Sequence, residues 1–346
     1  MSENKRTELK EIGEFGLIKS ITDNFSLNNA SSIYGVGDDA AVLYRNSNEV
    51  TLVSTDMLLE GVHFNLMYMP LKHLGYKSVV VNLSDIYAMN GNPEQITVSI
   101  AVSNRFPKEA IEELYEGIKK ACDLYNVDLV GGDTTSSLAG LVISVTAIGV
   151  ANKDEVVYRN TAKENDLIVV TGDLGAAYMG LQVLEREKEV YKANPNIQPD
   201  LDGFDYLIER QLKPEARKDV IGFLKELDVL PTAMIDISDG LASEIMHICT
   251  QSDLGAHVYD EKLPIDSAVS TTAIDFNIDP ATCALNGGED YELLFTIKQA
   301  DFEKIKGNPH MSIIGHMTAP GTGVYFVDKQ GGAIEMKAQG WNHFSK

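Results

Sequence analysis

The chain has 346 residues, 44% hydrophobic and 8% aromatic, and its 29 Lys and Arg face 51 Asp and Glu for a formal charge of −22. That length suits about two domains of roughly 150 residues, and the composition excludes a disordered chain. The acidity excludes nucleic-acid binding through a phosphate-neutralising surface, and no run of about 18 apolar residues is available to span a membrane. The first residues lack the apolar stretch of a secretory signal. Cys122, Cys249 and Cys283 show no C-x-x-C spacing, which predicts reduced thiols in a cytoplasmic protein without structural zinc.

In chain order, Glu11 to Ile18 opens a short helix, with Phe15, Ile18 and Ile21 on one side. Gly35-Val36-Gly37-Asp38-Asp39 is a tight turn entering a strand, and of its two adjacent carboxylates one binds while the other orients. Asp39 is the favoured ligand. Val50 to Val53 is β-branched and apolar, a buried strand that ends in Ser54-Thr55-Asp56. Residues 70–89 read as a helix whose Ser78, Asn82, Asp85 and Met89 make a polar stripe along an otherwise apolar element. Met89-Asn90-Gly91-Asn92-Pro93 terminates it.

A strand over 95–103, a helix opened by Pro107, the segment Asp128-Leu129-Val130 running into Gly131-Gly132-Asp133, and a strand over 141–149 complete the first half. Lys153-Asp154-Glu155 marks a boundary, giving units of 1–152 and 153–346. In the second, strands are expected at 167–170 and 233–235, and helices at 176–189, 214–226 and 241–248. Residues 192–205 read as an exposed insertion. Ser238 and Asp239 fall at a helix N-terminus, where caps and anions both belong. Gly287-Gly288 is a turn entering a further strand. The fold class is therefore α/β (α+β), with functional loops at strand ends.

The chain carries no phosphate-loop lysine motif, no complete dinucleotide fingerprint, no G-x-S-x-G turn and no H-E-x-x-H. What remains is a set of hard oxygen donors beside Gly, Ser or Thr: Asp39, Ser54, Thr55, Asp56, Asp85, Asp133, Asp236 and Asp239. Carboxylates gathered from distant segments repel one another unless cations sit among them. Oxygen donors suit Mg²⁺ or Mn²⁺ with substrate phosphates, which points to phosphoryl transfer without a covalent nucleophile or general base. Taken singly, each segment is also an ordinary turn or cap, and His63 by itself reads as a structural residue.

Nine segments in order resemble the thiamine-monophosphate kinases, within the superfamily of aminoimidazole ribonucleotide synthetase and selenophosphate synthetase. They begin at Gly13-Glu14-Phe15, Gly37-Asp38-Asp39, Ser54-Thr55-Asp56, Asn82-Leu83-Ser84-Asp85, Gly131-Gly132-Asp133, Thr171-Gly172-Asp173, Ile235-Asp236-Ile237-Ser238-Asp239, Gly287-Gly288-Glu289-Asp290 and Gly340-Trp341. The resemblance implies ATP-dependent phosphorylation of thiamine monophosphate to thiamine diphosphate. It implies a two-domain fold whose N-terminal mixed sheet pairs with that of a second subunit in a homodimer, while a C-terminal α/β layered half completes the site. It also implies several Mg²⁺ ions on Asp39, Ser54, Thr55, Asp56, Asp85, Asp133 and Asp236, with a further ion on Asp239. ATP would meet Gly132, Asp133, Arg159 and Ser238, and the acceptor His63, Glu289 and Trp341. Rival readings are a sister enzyme of the superfamily, an acidic metal-binding protein without catalysis, and a metal-dependent phosphatase.

Overall fold

The computed structural model describes residues 9–337. Trp341, expected on the acceptor side, lies outside the described residues. The helices are α1 (Leu9–Thr22), α2 (Leu71–Ala88), α3 (Lys108–Tyr125), α4 (Ala176–Ala193), α5 (Asp205–Leu212), α6 (Lys218–Glu226), α7 (Leu241–Ser252), α8 (Ser267–Asp275), α9 (Pro280–Asn286) and α10 (Phe302–Ile305). The strands of the first half are β1 (Ser32–Tyr34), β2 (Ala41–Tyr44), β3 (Glu49–Leu59), β4 (Asn92–Val102), β5 (Asp128–Ser136) and β6 (Leu141–Asn152). Those of the second are β7 (Leu167–Thr171), β8 (Ala233–Asp236), β9 (Gly255–Tyr259), β10 (Leu293–Ile297), β11 (Met311–Thr318), β12 (Val324–Val327) and β13 (Ala333–Glu335).

Two separate sheets result. The first has the order β1-β2-β3-β6-β4-β5, and the second β13-β12-β9-β11-β7-β10-β8. Short connections favour antiparallel neighbours; the exceptions are the parallel pairs β4 with β5 and β12 with β9. In the second half a sheet lies between helix layers, with Ile245 and Ile248 of α7 in the core of one face and Val220 and Leu224 of α6 in that of the other. The mixed α/β expectation is met.

Helix α2 organises the molecule. Fourteen of its 18 residues are buried, the polar Lys77, Ser78, Asn82 and Ser84 among them. Its neighbour α3 crosses at unusually short range, because Gly75 and Gly117 meet the opposing backbone. A Cβ on Gly75 would stand 1.9 Å from the Leu114 carbonyl oxygen, and one on Gly117 would stand 1.9 Å from that of Lys72. Asn90, left-handed at φ 57°, then turns the chain into β4, as the Asn-Gly-Asn-Pro sequence predicts.

Three expectations need correction. Ser54-Thr55-Asp56 does not end a strand, because β3 continues to Leu59 through pairing with β6. Gly131-Gly132-Asp133 likewise lies inside β5. The helix expected from Pro214 begins at Lys218, and a separate helix, α5, precedes it. The residue before a proline is driven out of the helical region, so Lys213-Pro214 separates the two, and the Ala216 N–H donates to Tyr125 Oη at 2.9 Å.

Candidate active site

Strand alternation divides the Ser54-Thr55-Asp56 triplet. Ser54 shares its face with the buried Val50, Leu52 and Leu58 and looks toward α2, whereas Thr55 is on the exposed face. The Ser54 hydroxyl donates to Asp85 Oδ2 on α2. The Asp56 N–H donates to Asn82 Oδ1 at 2.9 Å, and the Ala40 N–H approaches Met89 Sδ at 3.1 Å. The polar stripe on α2 therefore faces β3 and the turn before β2. Thr55 instead donates to the Val145 carbonyl at 3.1 Å and accepts from the Thr146 hydroxyl, so its hydroxyl does not join Ser54 and Asp56.

One turn of α2 touches both halves. Asp85 faces β3, and the preceding Ser84 donates to Asp236 Oδ2 at the end of β8, 2.6 Å away. One carboxylate oxygen from each of Asp39, Asp85 and Asp236 lies within 4.8 Å of the others. No local pattern marks Ser84, because it stands about 100° around the helix from Asp85, off the stripe and toward a sheet whose docking the sequence does not reveal.

The electrostatic consequence is strong. Burial, then the charges of Asp56, Asp236 and Asp39, raise the Asp85 carboxyl well above the usual aspartate range. Burial and Asp39 push Asp236 up to about 7, against the Ser84 hydrogen bond and Arg159, which favour its ionised form. Burial, with Glu14, pushes Asp56 up to about 6. Asp38 rises to about 7 from burial and the adjacent Asp39. Clustered carboxyls that resist ionisation are what a bound cation would relieve.

Arg159 supplies one balancing charge. Its Nε donates to Asp39 Oδ2 at 3.1 Å and its Nη2 to Asp39 Oδ1, a fork on one carboxylate. Its backbone N–H donates to Asp38 Oδ2 at 3.1 Å, which sets the two aspartates in different roles. Arg159 is thus brought to the cluster.

Ser238 and Asp239 precede α7, but neither side chain caps it, since Gly240 occupies the cap position. Glu244 reaches back instead. Its Oε1 accepts the Asp239 N–H at 2.8 Å and the Ser238 N–H at 3.2 Å, and burial with the Asp239 charge raises its carboxyl well above the ordinary range. The neighbouring turn is left-handed at Gly288, Glu289 and Tyr291. It is held by the Glu289 N–H to the Ser238 carbonyl at 2.7 Å and the Tyr291 N–H to that of Ile237 at 2.9 Å. A Cβ on Gly288 would stand 2.7 Å from the Ser238 carbonyl oxygen, so the close approach requires glycine.

Gly132 and Asp133 lie apart from the three carboxylates. They are on the exposed strand β5, which three strand spacings, about 14 Å, separate from β3. A Cβ on Gly132 would sit 1.9 Å from the Val98 carbonyl oxygen, so glycine is also demanded by strand pairing. One cross-strand row nevertheless runs Asp56, Val145, Val98, Gly132. His63 is half-buried, and its Nδ1 accepts the Leu59 N–H at 3.0 Å.

The chain is thus a two-sheet α/β protein with carboxylates gathered where its halves meet, and residues 37–151 match the family model described as "AIR synthase related protein, N-terminal domain". Thiamine-monophosphate kinase of Bacillus subtilis (strain 168) is 34% identical over 336 residues, covering 96% of this chain and 99% of that protein. The Aquifex aeolicus (strain VF5) protein of the same name is 35% identical over 339 residues, with 97% and 99% covered. A solved structure, "AaThiL complexed with AMPPCP and TMP", superposes with a TM-score of 0.83 at 32% identity over 98% of this chain and all of that one. The chain belongs to the thiamine-monophosphate kinase family and is a kinase.

Among the described residues, no helix is long and apolar enough to cross a membrane.

Proposed function

We propose that the protein transfers the γ-phosphoryl group of ATP to the phosphate of thiamine monophosphate, yielding thiamine diphosphate and ADP, by direct in-line displacement assisted by several Mg²⁺ ions. The observation that carries this reading is the convergence of Asp39 from a turn, Asp85 from a helix and Asp236 from a strand end, across both halves of the chain. Its support from relatives is the solved structure whose description pairs AMPPCP with TMP.

The donor set fits the ions, since small hard cations take carboxylate and hydroxyl oxygens together with substrate phosphates. Asp39, Asp85, Asp236, Asp56 and Ser54 would hold them at the cluster, with Thr55, Asp133 and Asp239 further out. Bound Mg²⁺ supplies charge neutralisation for two polyanions brought together. The chain's own task is positioning. Ser54 and Ser84 fix one oxygen each of Asp85 and Asp236, Arg159 fixes Asp39, and Glu244 fixes the Ser238-Asp239 backbone. The acceptor oxygen is already anionic, so no side chain need remove a proton. ATP would run from the cluster along the Asp56 to Gly132 row to Asp133, with Arg159 and Ser238 at its phosphates. Glu289, His63 and Trp341 would meet the thiamine moiety, whose cationic thiazolium favours a carboxylate and an indole face.

Residues 1–152 would form the ATP and Mg²⁺ unit and 153–346 the part that completes the site. A homodimer through the first sheet would cover β5, whose Leu129 and Val130 are 45% and 58% exposed in the single chain. Incubation with ATP, Mg²⁺ and thiamine monophosphate tests the reading by chromatography of the thiamine species. A thiamine diphosphate peak matched by ADP, and lost in Asp56→Asn, is the expected result. ATP binding without that product would refute this acceptor, and phosphate release without ATP would indicate a phosphatase.

A further inference from the structure

Lys77 is 1% exposed, on α2 two turns before Ser84 and Asp85. An ammonium is retained at such depth only when it is paired and hydrogen-bonded. Its Nζ lies 2.9 Å from Glu289 Oε1 and donates to the Gln211 carbonyl oxygen at 3.0 Å. The Gln211 side chain, also buried, donates from Nε2 to the other oxygen, Glu289 Oε2, at 2.7 Å. Both oxygens of one carboxylate are therefore held from beneath, by α2 and α5. The main chain of Glu289 is fixed as well, at φ 59° and by its bond to Ser238. Of this group only Glu289 reaches the surface appreciably, its side chain 27% exposed against 2% for Lys77.

A salt bridge that merely joined α2 to the second half would not need a neutral amide on the second carboxylate oxygen, nor a left-handed residue at its tip. We propose that Lys77 and Gln211 are positioning residues that hold the Glu289 carboxylate in the orientation in which it meets the acceptor molecule. The inference rests on the placing of Glu289 on the thiamine monophosphate side. It makes α2 a shared ruler, with Asp85 and Ser84 at one level and Lys77 two turns away, so that one rigid helix sets the acceptor carboxylate relative to the ion-binding carboxylates.

The test is steady-state kinetics of the full chain, varying each substrate, for Lys77→Met, Gln211→Met, Glu289→Gln and the two doubles with Glu289→Gln. Lys77→Met is expected to raise KM for thiamine monophosphate about tenfold, equivalent to about 1.4 kcal/mol, with kcat and the KM for ATP within about threefold. In the Glu289→Gln background the same change should add almost nothing, because both substitutions act through one carboxylate. Gln211→Met strands no charge, and carries the same test with a smaller KM rise if Lys77→Met does not fold. Effects that multiply independently of Glu289→Gln, or that raise both KM values alike, would overturn the proposal. A normal KM in Glu289→Gln would instead overturn the placing of Glu289 itself. A raised KM in Glu289→Gln with wild-type values in both other variants would overturn positioning alone.

Discussion

Asp236→Asn should make the metal-free protein more stable at neutral pH while destroying its activity. Asp236 is 3% exposed, and burial with Asp39 raises its carboxyl to about 7, whereas in the unfolded chain it titrates near 3.9. An acid raised on folding stabilises the fold below its unfolded value and loses that contribution as pH climbs through its folded value. Between pH 5 and pH 7 the metal-free fold therefore loses about 2 kcal/mol at this residue alone, at about 1.4 kcal/mol per pH unit. With an unfolding entropy of about 2.1 cal/mol/K per residue, the 346-residue chain shifts its Tm by about 3 °C for that amount.

Asparagine keeps an oxygen to accept the Ser84 hydroxyl but carries no charge, so this pH slope should shrink in Asp236→Asn. Mg²⁺ at 100 times its Kd should add about 2.7 kcal/mol, close to 4 °C, to the wild type at pH 8, and much less to the variant. Thermal unfolding in chelator or Mg²⁺ across pH 5 to 8.5 measures both effects. Equal pH slopes in the two proteins, or an equal Mg²⁺ response, would refute the assignment of this carboxylate to a cation-relieved cluster.

Arg159→Met leaves Asp39 without its guanidinium fork, and should cost about 3 kcal/mol in urea unfolding, since removing one partner strands a buried charge; a midpoint unchanged from wild type would contradict the role given to that fork. Gly75→Ala forces a Cβ against the Leu114 carbonyl where α2 crosses α3, and about 3 kcal/mol of destabilisation is expected from overpacking. Calorimetry reads it, with wild-type stability the adverse result. Glu244→Ala removes the acceptor of two backbone N–H groups, a loss of about 1–3 kcal/mol for each if left unsatisfied, and should also raise KM for ATP. Glu244→Gln keeps an acceptor oxygen and should recover most of the stability.

The α/β class, the helix over 70–89, the strands at 95–103, 141–149, 167–170 and 233–235, and the aspartates worth following could all be read from the residues alone. These are local properties: apolar period, β-branching and Gly, Asn or Pro at turns act within a few residues. Three of the named aspartates, Asp39, Asp85 and Asp236, converge in the structure.

The remainder depended on long-range packing. A strand's length depends on its partners, so β3 continues through Asp56 because β6 pairs along it, and that continuation places Ser54 and Thr55 on opposite faces. Docking of β8 against α2 brings Ser84 to Asp236, and α5 brings Gln211 to Glu289 across 78 residues of chain. Such contacts join residues with no local relation, and their burial raises the carboxyls at the cluster. Sequence spacing names the acids, but the packing of two sheets around one helix decides which of them share a field.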